Sequence, residues 1–387
     1  MVIASQLKER KLSGTFLLVV ALIIVLLSRF AIFGAYWQWK TATGSDFGIF
    51  RALMQWDCGW YSSIAEIGYA TEEMVDVSGQ ANWAFFPLVP MLERFLSSVT
   101  GLPIRVAGVC MNTAFLYLLT VISGKFCIEY DSGSWEQALI LMLLINFGPY
   151  NIYYSTLYTE CLFALLLCTT LYCLYKKYWF LMGVFGALLS STRNTGIFIV
   201  FVIPAYCAMC YFSAQEGKCK SVFGFFRWIY ERPKLILGTC LMPMGFFLYM
   251  LFLDTLIGDG MAFMTVQYAW GKSVGNALLN LWNGLLVIGT DSYFHAVCTV
   301  IALYLAIRQI LRKRPVGVLS LIFVLVPLST SVYGMARYTL CSFPILLEAS
   351  HAIFQKKRFE QCAWGMFLAA LGVATSYWWF RGSIMLM

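Results

Sequence analysis

Long apolar runs recur from one end of the chain to the other, separated by short polar segments. A helix needs about 20 mainly apolar residues to cross a bilayer, so the runs predict about eleven membrane spans. The predicted fold class is all-α: a polytopic membrane helix bundle, formed by one membrane-embedded domain over residues 1–387. The predicted spans lie at 14–34, 105–124, 136–150, 156–175, 178–192, 195–212, 235–256, 289–310, 315–333, 338–355 and 361–380.

Two segments interrupt this rhythm, and both are predicted to lie on the external side. The first external loop, residues 36–103, is far longer than the usual connection of about 4–6 residues. Within it, apolar spacing over 47–56 and 87–98 predicts two helices at the membrane interface. The second segment runs from 259 to 287 and is moderately amphipathic. Long loops on a rigid bundle commonly carry function.

Composition excludes a soluble globular domain, because 60% of the residues are hydrophobic, 12% are charged and the mean hydropathy is +0.75. Most of the 13 cysteines sit inside apolar runs, where cysteine acts as a small hydrophobe. No CxxC pair accompanies suitable ligands, and the chain has only 2 histidines. We therefore expect neither a bound metal nor another cofactor.

The net charge of +8 is distributed as a membrane protein distributes it. Lysine and arginine fall in short clusters between apolar runs, which places those loops and the amino terminus in the cytoplasm. The pattern contains no continuous basic face, so no nucleic-acid partner is expected. The clusters are Lys8/Arg10/Lys11, Lys176/Lys177, Lys218/Lys220/Arg227/Arg232/Lys234, Arg312/Lys313/Arg314 and Lys356/Lys357/Arg358.

The strongest candidate for chemistry is Asp57, which stands among Trp56, Trp60 and Tyr61 in the first external loop. A carboxylate at such a position costs free energy, and this favours a functional role. The alternative roles are a salt bridge or a helix cap. In the same loop, Glu72, Glu73 and Asp76 have the oxygen ligands that a divalent ion needs, but a solvated acidic turn is favoured.

Isolated arginines at the external ends of spans suit the binding of a phosphate group near the membrane surface. Arg193 and Arg337 each sit in a polar break between apolar runs, and Arg29 lies inside the first span. The alternative is that they pair with carboxylates or lipid headgroups. Glu160 is favoured as a buried structural partner of Arg193.

The pattern Trp56-Asp57-x-x-Trp60-Tyr61-x-x-Ile64-Ala65-x-x-Gly68-Tyr69, followed by Phe85-Phe86-Pro87-Leu88-x-Pro90, resembles the PIG-V family of mannosyltransferases and its bacterial relatives. That family belongs to the GT-C class of membrane glycosyltransferases. Shorter matches are Tyr158-Thr159-Glu160, Thr192-Arg193-Asn194-Thr195-Gly196 and Arg337-Tyr338. The chain is shorter than eukaryotic members, which favours a prokaryotic relative in a bacterial cell membrane. Cys58 stands where a less reactive residue is expected.

The resemblance implies an inverting transferase that moves mannose from a polyprenyl-phosphate donor to a hydroxyl of a glycan or glycolipid acceptor outside the cytoplasm. Asp57 aligns with the family's base, and Arg193, Arg337 and Arg29 are the predicted ligands of the donor phosphate. One carboxylate and one or two cations suffice for this chemistry, because phosphate is already a good leaving group. The predicted sugar or acceptor contacts are Trp56, Trp60, Tyr61, Glu66, Tyr158, Glu160, Asn194, Gln267, Trp270 and Tyr338.

Several of these residues keep a second interpretation. Glu66 is equally compatible with a solvated helix face, and Trp56, Trp60 and Trp83 with anchoring of the loop in the interface. A different functional class also stays open, namely a transporter or flippase of a lipid-linked substrate. The concentration of charges at one face and the absence of visible internal repeats favour an enzyme.

Overall fold

The structure is a computed structural model that describes residues 14–75, 77–213 and 221–386. Asp76 and the basic residues at 8, 10, 11, 218 and 220 lie outside the described residues. The regular secondary structure of the described residues is helical, and the predicted all-α class is confirmed. The α-helices are α1 (Gly14–Thr43), α2 (Ile49–Ala52), α3 (Cys58–Ile67), α4 (Leu88–Thr100), α5 (Ile104–Phe126), α6 (Trp135–Phe147), α7 (Glu160–Lys176), α8 (Trp179–Ser190), α9 (Val202–Ser213), α10 (Val222–Tyr230), α11 (Pro233–Leu241), α12 (Met244–Ile257), α13 (Ala262–Thr265), α14 (Ala277–Leu286), α15 (Asp291–Leu311), α16 (Val316–Leu328), α17 (Met335–Leu340), α18 (Phe343–Phe354) and α19 (Arg358–Phe380).

Shorter helical turns complete the chain between these helices. A π-helical turn, Cys127–Asp131, extends α5. The 3₁₀ turns are Glu72–Met74, Asn82–Ala84, Asn151–Ser155, Asn194–Phe201, Val266–Trp270 and Ile384–Leu386.

Five helical segments are long and apolar enough to cross a membrane: Gly14–Thr43, Ile104–Asp131, Asn194–Phe212, Pro233–Ile257 and Asp291–Leu311. Shorter apolar helices, among them α6, α8, α16 and α18, occupy most of the other predicted spans. The count of eleven spans stays a prediction. The break at Arg193 is present, because α8 ends at Ser190 and helical structure resumes at Asn194.

The first external loop is helical in different places from those predicted. The prediction of a helix over 47–56 is wrong in extent, because α2 is a single turn. Trp56 ends any continuation, since its backbone has φ +46°, a left-handed conformation that a bulky residue rarely adopts. A second helix, α3, then begins directly after Asp57. The segment 87–98 is helical as α4, which starts immediately after Pro87, whereas its position at the membrane interface stays a prediction.

Side-chain hydrogen bonds fold the first loop onto the bundle. The Asn82 side chain donates to the carbonyl oxygen of Gly68 at 3.0 Å and accepts from the Ala70 amide at 2.9 Å. The Tyr249 hydroxyl of α12 donates to the carbonyl oxygen of Trp83 at 2.7 Å. These bonds tie the middle of the loop to a spanning helix, so the loop is a fixed cover on this end of the bundle.

A buried tyrosine-rich segment between α6 and α7 supports this end from beneath. Tyr150, Tyr153, Tyr154 and Tyr158 are each at most 2% exposed. The Tyr154 hydroxyl donates to the carbonyl oxygen of Cys341 at 2.8 Å, which connects the segment to the α17–α18 region. Buried polar groups with partners hold a unique arrangement. The segment thereby fixes Tyr158 and the first turn of α7.

Candidate active site

A cavity of about 420 Å³ opens where the first external loop, the break at Arg193, the second external segment and α16–α17 meet. These elements are distant in sequence, and each contributes polar side chains. The charged residues that line the cavity in the described part of the chain are Asp57, Arg193, Lys272 and Arg337.

Asp57 is held at the cavity by contacts on both its backbone and its side chain. Its amide donates to the Tyr158 hydroxyl at 3.1 Å, and its Oδ2 lies 3.2 Å from Nη1 of Arg337. Asp57 occupies the position before α3, but its side chain forms no capping hydrogen bond. Of the two alternatives raised for this carboxylate, the helix cap is wrong and the salt bridge is present.

The backbone next to Asp57 is strained. Trp56 keeps its left-handed conformation while its ring packs edge-on against Trp379, with the ring centroids 4.9 Å apart. Trp379 is fully buried. Strain of this kind persists where surrounding packing fixes it, and it occurs frequently at functional sites.

Glu160 lies behind the cavity and holds both arginines. It is the first residue of α7, where a negative charge is favoured by the helix dipole. Its Oε1 lies 2.9 Å from Nη1 of Arg193 and 3.4 Å from Nε of Arg337. The expected pairing of Glu160 with Arg193 is confirmed. Glu160 is only 3% exposed, and its Oε2 has no hydrogen-bond partner in the described residues.

Two tight backbone features present the arginines to the cavity. Gly196 packs so closely on the turn after α8 that a Cβ atom there would lie 2.3 Å from the Leu189 carbonyl oxygen. This packing forces the chain to bend sharply at Arg193. Gly334 has φ +77° and starts α17, which carries Arg337. Glycine adopts such a conformation without steric cost.

Tyr338 completes the basic side of the cavity. Its hydroxyl accepts a hydrogen bond from Nη2 of Arg337 at 3.0 Å. The Arg193 guanidinium lies 5.0 Å from the centre of the same ring. The phenol therefore stands between two guanidinium groups.

Lys272 differs from the two arginines because it forms no ion pair within the described residues, although it lines the same cavity. Arg193 and Arg337 are matched by Glu160 and Asp57. Lys272 is thus the cation that leaves the site with an excess positive charge. The sequence analysis did not assign Lys272 to the site. The sequence feature that could have identified Lys272 is its closeness to Gln267 and Trp270 on the second external segment.

Five of the predicted sugar or acceptor contacts line the cavity, namely Tyr61, Asn194, Gln267, Trp270 and Tyr338. Trp60 lies beside it, stacked on Phe85 with centroids 5.8 Å apart and edge-on to Trp270 at 5.7 Å. This aromatic cluster joins the two external segments.

The remaining predicted residues lie elsewhere. Tyr158 and Glu160 are behind the cavity wall, and Trp56 packs into the core. Glu66 is exposed near the end of α3 and does not line the cavity. Arg29 bonds to Ser28 and Ser155 within the bundle and does not reach the cavity either. A phosphate-binding role for Arg29 stays a prediction that this geometry does not support.

Acidic residues at 72 and 73 form an exposed 3₁₀ turn. Across the described ranges, no group of three or more His, Cys, Asp or Glu side chains is arranged to hold a metal ion.

The fold is similar to that of a solved membrane enzyme. The chain superposes on the apo crystal structure of the Archaeoglobus fulgidus oligosaccharyltransferase with a TM-score of 0.51, covering 97% of this chain and 56% of that chain at 12% identity. At this identity the likeness concerns the fold alone. Together with the apolar helices, it indicates the class of multi-pass membrane proteins that share this fold.

Two proteins of known name are similar to this chain in sequence. The chain is 27% identical over 206 residues to GPI alpha-1,6-mannosyltransferase 2 of Mus musculus, covering 50% of this chain and 38% of the relative. It is 27% identical over 169 residues to the Cricetulus griseus protein of the same name, covering 41% of this chain and 33% of the relative. No family model matches the chain.

These relatives confirm the resemblance to the PIG-V mannosyltransferases that the first-loop motif carries. The matched region spans less than two-fifths of each relative's length. Both relatives are mammalian, so the expected bacterial origin stays a prediction.

Proposed function

We propose that this protein is an inverting glycosyltransferase that moves mannose from a polyprenyl-phosphate donor to a hydroxyl of a lipid-linked or glycan acceptor. One observation carries the proposal: the Asp57 carboxylate, bound by Arg337 through a single oxygen, lines a cavity whose other charged lining residues are cations. The mannosyltransferase relatives support the choice of sugar.

Asp57 acts as the general base. Its Oδ2 is oriented by Arg337, and its Oδ1 has no hydrogen-bond partner among the described residues. Oδ1 takes the proton of the acceptor hydroxyl while the hydroxyl oxygen attacks the anomeric carbon of the donor sugar. A positioned base of this kind contributes about 10²–10⁴-fold to a rate. The side chain is 30% exposed, so it can return the proton to solvent after each turnover.

The departing polyprenyl phosphate carries away the electron pair of the broken carbon–oxygen bond, and the configuration at the anomeric carbon inverts. Three cations and two carboxylates at the site leave one positive charge, which favours the binding of an anion. Lys272 is the proposed direct partner of the phosphate. Arg193 and Arg337 add a positive field.

The aromatic cluster of Trp60, Phe85 and Trp270 offers ring faces on which the sugar rests. Asn194 and Gln267 line the same cavity and provide amides for its hydroxyl groups. Holding the acceptor and donor together lowers the barrier further, because a bimolecular step becomes effectively unimolecular.

We also propose the orientation expected from the basic clusters, with the amino terminus in the cytoplasm and the site on the external face of a bacterial cell membrane. The first external loop, residues 36–103, then carries the base of a single catalytic domain over residues 1–387. Arg312 and its neighbours lie at the end of α15, away from the Asp57 cavity, which supports this orientation.

The proposal is tested with Asp57→Asn in membranes supplied with radiolabelled polyprenyl-phosphate mannose and acceptor extract. Asp46→Asn is the matched control, because Asp46 is an exposed carboxylate of the same loop that does not line the cavity. We expect Asp57→Asn to lose donor-dependent transfer at normal expression, and Asp46→Asn to keep it. A carrier would show no donor-dependent transfer in the unsubstituted protein, and that result would reject the proposed activity.

A further inference from the structure

A second cavity, of about 710 Å³, lies on the far side of the wall that bounds the Asp57 cavity. It is a groove between the loop helices α3 and α4 and the apolar helices α8, α11 and α12. Its lining is apolar and includes Met91, Leu188, Leu248 and Phe252. All four of these side chains are exposed, so the groove is open at the surface of the bundle.

The groove and the Asp57 cavity share a thin wall. Ser191 lines the groove, whereas the next residue, Thr192, lines the cavity. The amide of Leu88 donates to the carbonyl oxygen of Ser191 at 3.2 Å and closes the wall between them. On α3, Tyr61 faces the cavity and Ile64 faces the groove. A molecule bound in the groove would therefore contact α3, the helix that follows Asp57.

The polar groups of the groove wall are already bonded within the protein. The hydroxyls of Tyr69 and Tyr249 donate to the carbonyl oxygens of Phe85 and Trp83, each at 2.7 Å. The Ser191 hydroxyl donates to the carbonyl oxygen of Leu188 at 2.7 Å. These three hydroxyls therefore keep their protons on the protein's own carbonyl groups, and the complement of this part of the wall is a hydrocarbon chain.

Arg94 is the charged residue of this groove. Its Nε and Nη2 donate to the carbonyl oxygens of Ala65 and Glu66 at 2.7 and 3.0 Å, which fixes the guanidinium beside the end of α3. It forms no ion pair within the described residues, and its Nη1 has no hydrogen-bond partner there. A fixed, exposed and unpaired guanidinium is complementary to an anionic headgroup.

We propose that the groove binds an anionic phospholipid of the bilayer, with an acyl chain along the apolar wall and the phosphate headgroup against Arg94. The bound lipid braces α3 and α4 from the side opposite the cavity. This inference concerns lipid binding and does not depend on the proposed transfer activity.

The test uses the purified full-length protein in neutral detergent, with lipid binding followed by native mass spectrometry. Phosphatidylglycerol and phosphatidylcholine with identical acyl chains are compared. One arginine near a headgroup contributes about a fivefold preference for the anionic lipid. We expect Arg94→Gln to abolish that preference and Arg94→Lys to keep it. Arg105→Gln is the control, because Arg105 is exposed nearby but does not line the groove.

A second variant, Leu248→Trp, fills the groove without altering charge and is expected to weaken the binding of both lipids. Equal binding of the two lipids by the unsubstituted protein would overturn the proposal. So would an unchanged preference in Arg94→Gln, or unchanged binding in Leu248→Trp. Displacement of phosphatidylglycerol by a glycolipid acceptor that competes in the transfer assay would instead assign the groove to substrate, and would overturn the bracing role.

Discussion

Two networks of arginine and carboxylate side chains lie at opposite ends of α16. They differ in how many of their carboxylate oxygens have a hydrogen-bond or ion-pair partner. At the end near α15, Glu348 is bound through both oxygens, with Arg308 Nε 2.9 Å from Oε1 and Arg312 Nη1 2.9 Å from Oε2. Asp131 is likewise bound through both oxygens, by Arg314 and Gln137. Both oxygens of each carboxylate are therefore bonded within the protein.

At the other end of α16, beside α17, some carboxylate oxygens have no partner in the described residues. Asp57 is bound through one oxygen, and Oε2 of Glu160 has no hydrogen-bond partner in the described residues. Lys272 adds a cation without a carboxylate partner, and a cavity lies against the group. Arginine and carboxylate side chains thus serve two purposes in this protein. Where every carboxylate oxygen has a partner, the network holds helices together. Where oxygens beside a cavity have no partner, the network can bind a ligand and take part in a reaction.

The largest expected effect comes from breaking the site network at its centre. Arg337→Ala removes the partner of Asp57 and one of the two cations on the buried Glu160. Loss of one partner of a buried pair costs about 3–5 kcal/mol of unfolding free energy. Transfer is expected to fall at least about 10²-fold, since electrostatic stabilisation is lost as well. Turnover and denaturation are measured on the same preparation.

Arg337→Lys is the matched variant, because it keeps the charge but loses the planar fork that reaches both carboxylates. Its losses are expected to lie between those of Arg337→Ala and the unsubstituted protein. Normal stability and turnover in Arg337→Ala would contradict the proposed role of the network around Asp57 in binding and transfer.

A third buried carboxyl, which belongs to neither network, shows what happens when no cation is present. Glu93 of α4 is fully buried, and neither of its oxygens has a partner in the described residues. Burial raises the pKa of this carboxyl from 4.5 to about 8. The folded state therefore keeps the proton at pH values where the unfolded chain has released it. Between about pH 4.5 and 8, unfolding free energy is expected to fall by about 1.4 kcal/mol per pH unit from this group.

Glu93→Gln is expected to remove that slope and to be the more stable protein near pH 8. The exposed Glu73→Gln serves as control and leaves the slope in place. Unfolding in detergent at several pH values measures both. Identical pH profiles for Glu93→Gln and the unsubstituted protein would show that Glu93 is ionised or solvated.

The smallest effect is expected for the unpaired cation of the site. Lys272→Ala should raise the KM for the polyprenyl-phosphate donor about tenfold, because it removes a charged contact worth about 1.4 kcal/mol. Little change in unfolding is expected, since no ion pair is broken. Lys125→Ala, an exposed lysine near the end of α5, is the control. An unchanged KM in Lys272→Ala would assign the phosphate to the arginines alone.

The sequence was sufficient to predict those features that depend on local composition. Apolar runs predicted the all-helical bundle, and polar breaks located Arg193 and Arg337 between apolar runs. The aromatic surroundings of Asp57 singled it out, because an ionised group there is costly.

Features that depend on contacts between distant segments were not predictable in the same way. Lys272 belongs to the site only because the second external segment folds against the first loop, through Trp270 and Trp60. Arg29 was predicted to bind the donor phosphate, but it bonds to Ser155 of a buried segment far along the chain. The left-handed backbone of Trp56 is incompatible with a helix that runs to this residue, and no propensity of tryptophan indicates it.

The most direct test of the central claim compares one carboxylate from each network. Asp57→Asn and Glu348→Gln are purified in the same lipid nanodiscs, and both turnover per folded molecule and unfolding free energy are measured. Asp57→Asn is predicted to lose about 10²–10⁴-fold in turnover with an unfolding free energy near that of the unsubstituted protein. Glu348→Gln is predicted to lose about 3 kcal/mol of stability with unchanged turnover. Full turnover in Asp57→Asn would contradict the account.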